Sequence, residues 1–206
     1  MKIPYPYNRT GADTDGGGDA PRVLTWLRDG SPHQRAKELA GAFLDSSRVQ
    51  SMAVLDGGAA RHTTVHFGGT MAVSSGGLAD GAVVNSGGWL VVSADGTAAG
   101  VSVNYGGQAT ALSGGLVSGG EANSGGAVFL SRGASASALT VRSGGALHGD
   151  GGVRVADCVL SSGGVMSAGS GASVERLDVR PGANFSCRTG ASAAGVSVHS
   201  GAGLYM

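Results

Sequence analysis

From about residue 50 onward, glycine marks time along this chain. Taking the last glycine of each mark, one series is Gly58, Gly77, Gly96, Gly115, Gly133, Gly152, Gly171 and Gly190. The interleaved series is Gly69, Gly88, Gly107, Gly126, Gly145, Gly164, Gly182 and Gly201. Steps of eleven and eight residues alternate, giving a full period of nineteen, and two steps fall short by one residue. A fixed period of roughly twenty residues is the signature of a solenoid, where each repeat is one coil that buries its apolar side only against its neighbours.

The segments between marks are too short for a stable helix and alternate Val, Ala, Ser, Thr and Leu with period two, which predicts strands. Glycine supplies the positive φ that the intervening turns need. Stacked at nineteen residues, the long half ends in an apolar column Val65, Val84, Val103, Ala122, Val141, Leu160, Val179, Val198. Two residues earlier runs Thr63, Ala82, Val101, Gly120, Leu139, Cys158, Leu177, Val196. The short half contributes Met71, Leu90, Ala109, Val128, Leu147, Met166, and beside it Val73, Val92, Ala111, Leu130, weakening to Gly149, Ala168 and Ser186. The expected fold is all-β: a parallel β-solenoid of about eight coils, two legs per coil, roughly 40 Å long at the usual strand spacing. Crossovers between parallel strands favour right-handed winding. Asn85, Asn104 and Asn123 fall at successive steps of nineteen, where identical amides can hydrogen-bond along the axis as a structural ladder.

Forty glycines in 206 residues far exceed the usual share of about 7%. With 41% of residues hydrophobic, however, the chain is an ordered repeat rather than a flexible linker. Net charge is zero and the repeat region has no lysine, so a basic face for nucleic acid is not expected. No apolar run reaches membrane-span length, and Met1-Lys2-Ile3-Pro4-Tyr5-Pro6 is not followed by the apolar stretch of a secretory signal. The chain divides into residues 1–49 and a repeat domain, 50–206. In the first part a Gly/Asp/Pro-rich leader precedes Ser31-Pro32-His33-Gln34, a capping-box start with proline at the first helical position. Ala36, Leu39, Ala40, Phe43 and Leu44 then recur at helical spacing. The segment is expected to cap the open first coil, because a solenoid needs a terminal cap to stay soluble; docking to a secretion or assembly partner is the alternative.

Reactive chemistry is sparse. Cys158 occupies an inward column and Cys187 sits in a different half of a neighbouring coil, which disfavours a disulfide. His62, His66, His148 and His199 are scattered, so no metal site is expected. Asp80, Asp95, Glu121, Asp150, Asp157, Glu175 and Asp178 form no single column, whereas a polysaccharide-cleaving β-helix needs acidic groups converging on one face. Only Gly149-Asp150-Gly151-Gly152 hints at the aspartate-per-turn pattern of a calcium roll, so calcium and other cofactors are not expected. Aromatic residues are sparse, which disfavours sugar stacking: Phe67, Trp89, Tyr105, Phe129 and Phe185 are spread over different coils, with only Trp89 and Tyr105 close enough in sequence to suggest a patch.

The stretches Val73-Ser74-Ser75-Gly76-Gly77, Val84-Asn85-Ser86-Gly87-Gly88, Val141-Arg142-Ser143-Gly144-Gly145 and Leu160-Ser161-Ser162-Gly163-Gly164 resemble the V-x-S-G-G repeats of AIDA-type autotransporter adhesins. The resemblance covers about residues 50–206. It implies a secreted or surface-exposed bacterial β-helix used in adhesion, aggregation or biofilm, non-enzymatic, in some members carrying sugars attached by a dedicated glycosyltransferase. On that basis Ser75, Ser86, Ser124, Ser143, Ser162 and Ser200 are candidate glycosylation sites. Asn8-Arg9-Thr10 and Asn184-Phe185-Ser186 match the N-linked sequon by chance. The sequence stops in mid-repeat at Gly203-Leu204-Tyr205-Met206, which makes Leu204, Tyr205 and Met206 candidates for self-association through strand edges. Expected partners are a second copy or a cell-surface or glycan receptor. A subunit of an extracellular fibre or phage-like appendage, and a polysaccharide-binding or polysaccharide-cleaving β-helix, are the alternative functions.

Overall fold

The computed structural model describes residues 52–55 and 57–206, and the expected N-terminal leader and cap lie outside the described residues. What it describes is an all-β parallel solenoid of about eight coils. One sheet of nine parallel strands stacks Met52–Val54, Thr70–Val73, Trp89–Val92, Gln108–Ala111, Ala127–Leu130, Ala146–Gly149, Val165–Ala168, Asn184–Cys187 and Gly203–Tyr205. This is the short half of each repeat, and its register is nineteen throughout, as in Met71↔Leu90 and Ala109↔Val128.

The long half is not one leg but two. A corner divides it into a ladder beginning with Ala59–Arg61 and another beginning with Thr64–Val65. In two coils single strands, Thr97–Val103 and Leu116–Ala122, run through that corner and join the ladders into one fourteen-stranded sheet. Each coil is therefore three-sided. The third corner has positive φ at His62, Gly81, Gly100, Gly119, Ala138, Asp157, Arg176 and Gly195, again one per nineteen residues. Four of these eight are not glycine, which is why the glycine pattern shows two corners and hides the third.

The other two corners are four-residue turns. Gly77 N–H donates to the Ser74 carbonyl at 2.8 Å, with φ of +70° at Gly76, the place where a type II turn needs glycine. Successive turns are also bonded to each other: Gly87 N–H donates to the Gly106 carbonyl, Gly106 to Gly125, and Gly125 to Gly144, at 2.8–2.9 Å. Turn amides that would otherwise need water are thereby satisfied along the axis.

Two expectations about register are corrected by the same fact. The left-handed glycines run Gly114, Gly133, Gly152 and Gly144, Gly163, Gly182 without a slip. The apparent short steps arise because Ala134 and Ala183 replace the second glycine of a pair, so the last glycine shifts while the backbone does not. Accordingly Ala168 pairs with Cys187, not Ser186, and the Met166 column continues into Phe185. Phe185 and Met166 are fully buried, whereas Ser186 donates to the Met166 carbonyl.

The core is built on the four expected columns, except that Val198 at the end of the Val65 column is exposed, on another column, Ala60, Ala79, Ala98, Val117, Ala136, Val155 and Val174, supplied by the ladder before the third corner, and on Ala134, Val153, Ala172 and Ala183 beside the turns. Its side chains are mostly alanine and valine because the three faces of each coil, formed by two sheets, converge on a narrow interior. Close-packed interiors of this kind transmit a one-methylene change directly to neighbours.

Candidate functional site

Chemistry-bearing groups collect at the turns. The second residue of the turn that follows the Val65 column is, coil by coil, Phe67, Ser86, Tyr105, Ser124, Ser143, Ser162, Pro181 and Ser200. All are exposed. The side chains lean along the axis onto the glycine of the following coil: a Cβ on Gly106, Gly144, Gly163 or Gly182 would lie 2.7–2.8 Å from the hydroxyl of Ser86, Ser124, Ser143 or Ser162. None of these hydroxyls is used in a hydrogen bond within the described residues. Ser124, Ser143 and Ser162 form an uninterrupted run with oxygens about 4.8 Å apart along the axis.

Ser75 belongs to the other glycine-marked turn, whose equivalent positions are Ala94, Ser113, Arg132, Gly151, Ser170 and Thr189. Ser113 and Thr189 are further exposed hydroxyls, and a nineteen-residue projection of Ser75 would have found them. Ser170 differs, because its hydroxyl donates to the Thr189 carbonyl at 2.8 Å.

Asn85, Asn104 and Asn123 stand at the head of the first turn column. Asn104 Nδ2 donates to Asn85 Oδ1, and Asn123 Nδ2 donates to Asn104 Oδ1, both at 2.9 Å. The three side chains are half-buried and bonded end to end down the axis.

Charged groups pair between adjacent coils rather than converging. Arg176 makes a two-pronged contact with Asp157, Nε to Oδ1 at 2.5 Å and Nη2 to Oδ2 at 2.7 Å, and this holds the Asp157 carboxyl below its ordinary range. Arg142 Nη2 donates a single hydrogen bond to Glu121 Oε1, which likewise lowers that carboxyl. At Asp178 partial burial opposes ionisation, but hydrogen bonds from Arg180 and His199 outweigh it and lower the carboxyl. Among the described residues no three His, Cys, Asp or Glu side chains gather to hold a metal ion.

The aromatic residues separate by role. Phe185 is core, and Phe129 stacks on His148 with ring centroids 5.3 Å apart. Phe67, Trp89 and Tyr105 instead lie along one corner of successive coils, 85%, 46% and 75% exposed. The Phe67 ring covers Gly87 and the Tyr105 ring covers Gly125, where a Cβ would come within 2.4 Å of either ring. Trp89 begins the strand that follows Gly87, between Thr70 and Gln108. In sequence only Trp89 and Tyr105 are close enough to group, and Phe67 stands apart, because its link to them is one of column and not of local sequence.

Cys158 and Cys187 are both free thiols. Burial pushes the Cys158 thiol up to about 11. Leu204, Tyr205 and Met206 lie at the last strand of the nine-stranded sheet and are exposed.

No family model matches this chain, and no curated protein matches it significantly. Among solved structures it is similar to a hyper-glycosylated fragment of TibA whose glycosylation is catalysed by TibC, at 31% sequence identity and a TM-score of 0.54, over 74% of this chain and 69% of that one. The chain belongs to the same β-solenoid family as TibA.

Proposed function

We propose that this chain is an AIDA-type passenger module: a non-enzymatic β-solenoid presented on the bacterial surface, acting in adhesion and modified with sugars on its turn serines. The observation that carries the reading is the exposed, unbonded serine column of Ser86, Ser124, Ser143, Ser162 and Ser200 on a fold similar to a glycosylated TibA fragment. Hydroxyls that the fold does not use, held at a regular spacing on a rigid rod, are suited to repeated modification by one transferase. Ser75 extends the same chemistry to the second turn. Residues 1–49 serve in this reading as the cap of the first coil, covering strand edges that would otherwise pair with other chains. Adhesion then follows from the rod's long exposed faces, and sugars would tune its solubility and contacts.

The test is co-expression with TibC or a transferase of its kind, followed by intact mass and peptide mapping. Expected is a ladder of masses above the sequence mass, with the added groups on the turn serines and lost from Ser124→Ala, Ser143→Ala and Ser162→Ala in proportion. A single unmodified mass removes the glycosylated reading. Adhesion is read separately, from cells displaying the chain against cells displaying none.

A further inference from the structure

The turn column contains its own control. At one and the same position five coils carry serine, and the turn closes equally well there, so the fold does not require the aromatic rings of Phe67 and Tyr105. Both rings nevertheless stand in solvent, two coils apart, about 10 Å along the axis. The Trp89 ring lies in the coil between them. Exposed apolar groups gathered in one place mark a contact surface.

The surroundings identify what it contacts. The segments 64–70, 83–90 and 102–109, which build this corner, contain no Asp, Glu, Lys or Arg, and His66 is their only titratable side chain apart from Tyr105. Charged residues enter the equivalent segments only from Glu121 and Arg142 onward. Beside the rings are neutral hydrogen-bonding groups, the amides of Asn85 and Asn104 and the hydroxyl of Ser86. An aromatic face carries partial negative charge and attracts polarised C–H bonds. Pyranose rings present such C–H faces together with equatorial hydroxyls for amides to bind. Two coils also match the reach of a disaccharide unit. A protein partner would require roughly 800 Å² on each side for a stable interface, more than one corner of three coils provides.

We propose that Phe67, Trp89 and Tyr105 form a binding platform for an uncharged oligosaccharide lying along the solenoid axis. This deepens the adhesive reading by naming the chemical class of its receptor. Among the described residues the segments that build this corner contain no carboxylate, so the platform is proposed to bind without cleaving.

The test uses the full chain produced in a host without a protein O-glycosyltransferase, so that Ser86 is bare. Immobilised β-1,4-glucan, β-1,3-glucan and mannan oligosaccharides serve as neutral probes, with polygalacturonate as the acidic one. Expected is binding to at least one neutral probe in preference to polygalacturonate. Affinity should fall roughly tenfold or more in the Phe67→Ser plus Tyr105→Ser variant, as for anchor aromatics elsewhere. Its melting temperature should match the wild type, because other coils already carry serine there. Trp89→Ala should weaken binding independently. Absence of binding to every neutral probe, or wild-type affinity in the double variant, overturns the proposal. Displayed cells that adhere while no neutral probe binds leave the adhesive reading intact without this receptor. Neutral binding without cell adhesion does the reverse.

Discussion

Replacing Val103 with aspartate tests the register on which every other inference depends. Val103 is 1% exposed, between Val84 and Ala122 on the coils before and after, both completely buried. Removing the side chain's two methyl groups costs about 1.6 kcal/mol of transfer energy before any cavity term. The carboxyl then lies in the apolar interior between Val84 and Ala122. Ionised it would be prohibitively costly, so it protonates, and even the neutral group lacks a partner at a further cost of about 2–3 kcal/mol. The sum, roughly 4–5 kcal/mol, lowers the melting temperature by about 8–20 °C for a chain of this size. The control is Thr97→Asp on the same strand, half-exposed and flanked by Leu78 and Leu116, where a change within about 0.5 kcal/mol is expected. The pH dependence has a definite sign: burial raises the folded-state pKa of the introduced carboxyl above its unfolded value, so the penalty is smallest below about pH 4 and grows as pH rises. Circular dichroism melts of both variants at about pH 3.5 and 7, on either side of the unfolded carboxyl's pKa, read it directly. If Val103→Asp melts within a degree of Thr97→Asp at neutral pH, the inward column is wrong and the three-sided core with it.

Asn104→Asp removes the donor to Asn85 while retaining an acceptor for Asn123, so the ladder loses one of its two bonds; a melting decrease equivalent to about 1 kcal/mol is expected, and none would show the amides to be passengers. A maleimide should label half-buried Cys187 in the native chain and reach buried Cys158 only after unfolding, with mass spectrometry of the labelled peptides as the readout. If the last strand is a self-association edge, light scattering at high micromolar concentration should detect assemblies that Leu204→Lys plus Tyr205→Glu dissolves; a strictly monomeric wild type refutes that role.

The fold was legible because period and chemistry agreed. Glycine is needed where the turns have positive φ, valine and leucine recur where the chain faces inward, and both repeat at nineteen. The third corner was not legible for the complementary reason. His62, Ala138, Asp157 and Arg176 adopt the left-handed conformation without being glycine. At Asp157 and Arg176 the corner is braced by the ion pair between their own side chains on successive coils, and at Ala138 its backbone N–H donates to the Ala156 carbonyl at 3.0 Å. A composition-based reading cannot see a strained position whose support comes from the next coil. The column Ala60, Ala79, Ala98 was similarly silent, since alanine is compatible with strand, helix or turn and becomes informative only when stacked.

Site residues were legible in proportion to how much of their meaning lies within one repeat. The asparagines could be read because they are identical at each step, and the serines' place in the turns because each sits directly before a turn glycine. The aromatic corner could not, because Phe67 and Tyr105 are meaningful only as exceptions to a serine column, and Trp89 belongs to a different column that the turn brings alongside. A solenoid repeats its scaffold with small variations, and its selectivity must lie in the positions that break the repeat. At the turn corner of the first three coils those breaks are aromatic and uncharged; farther along the rod they are Glu121, Arg142, Asp157 and Arg176, which pair with one another across coils. The aromatic corner thus leaves its exceptional side chains open to a ligand, while the later coils commit theirs to holding successive turns of the solenoid together.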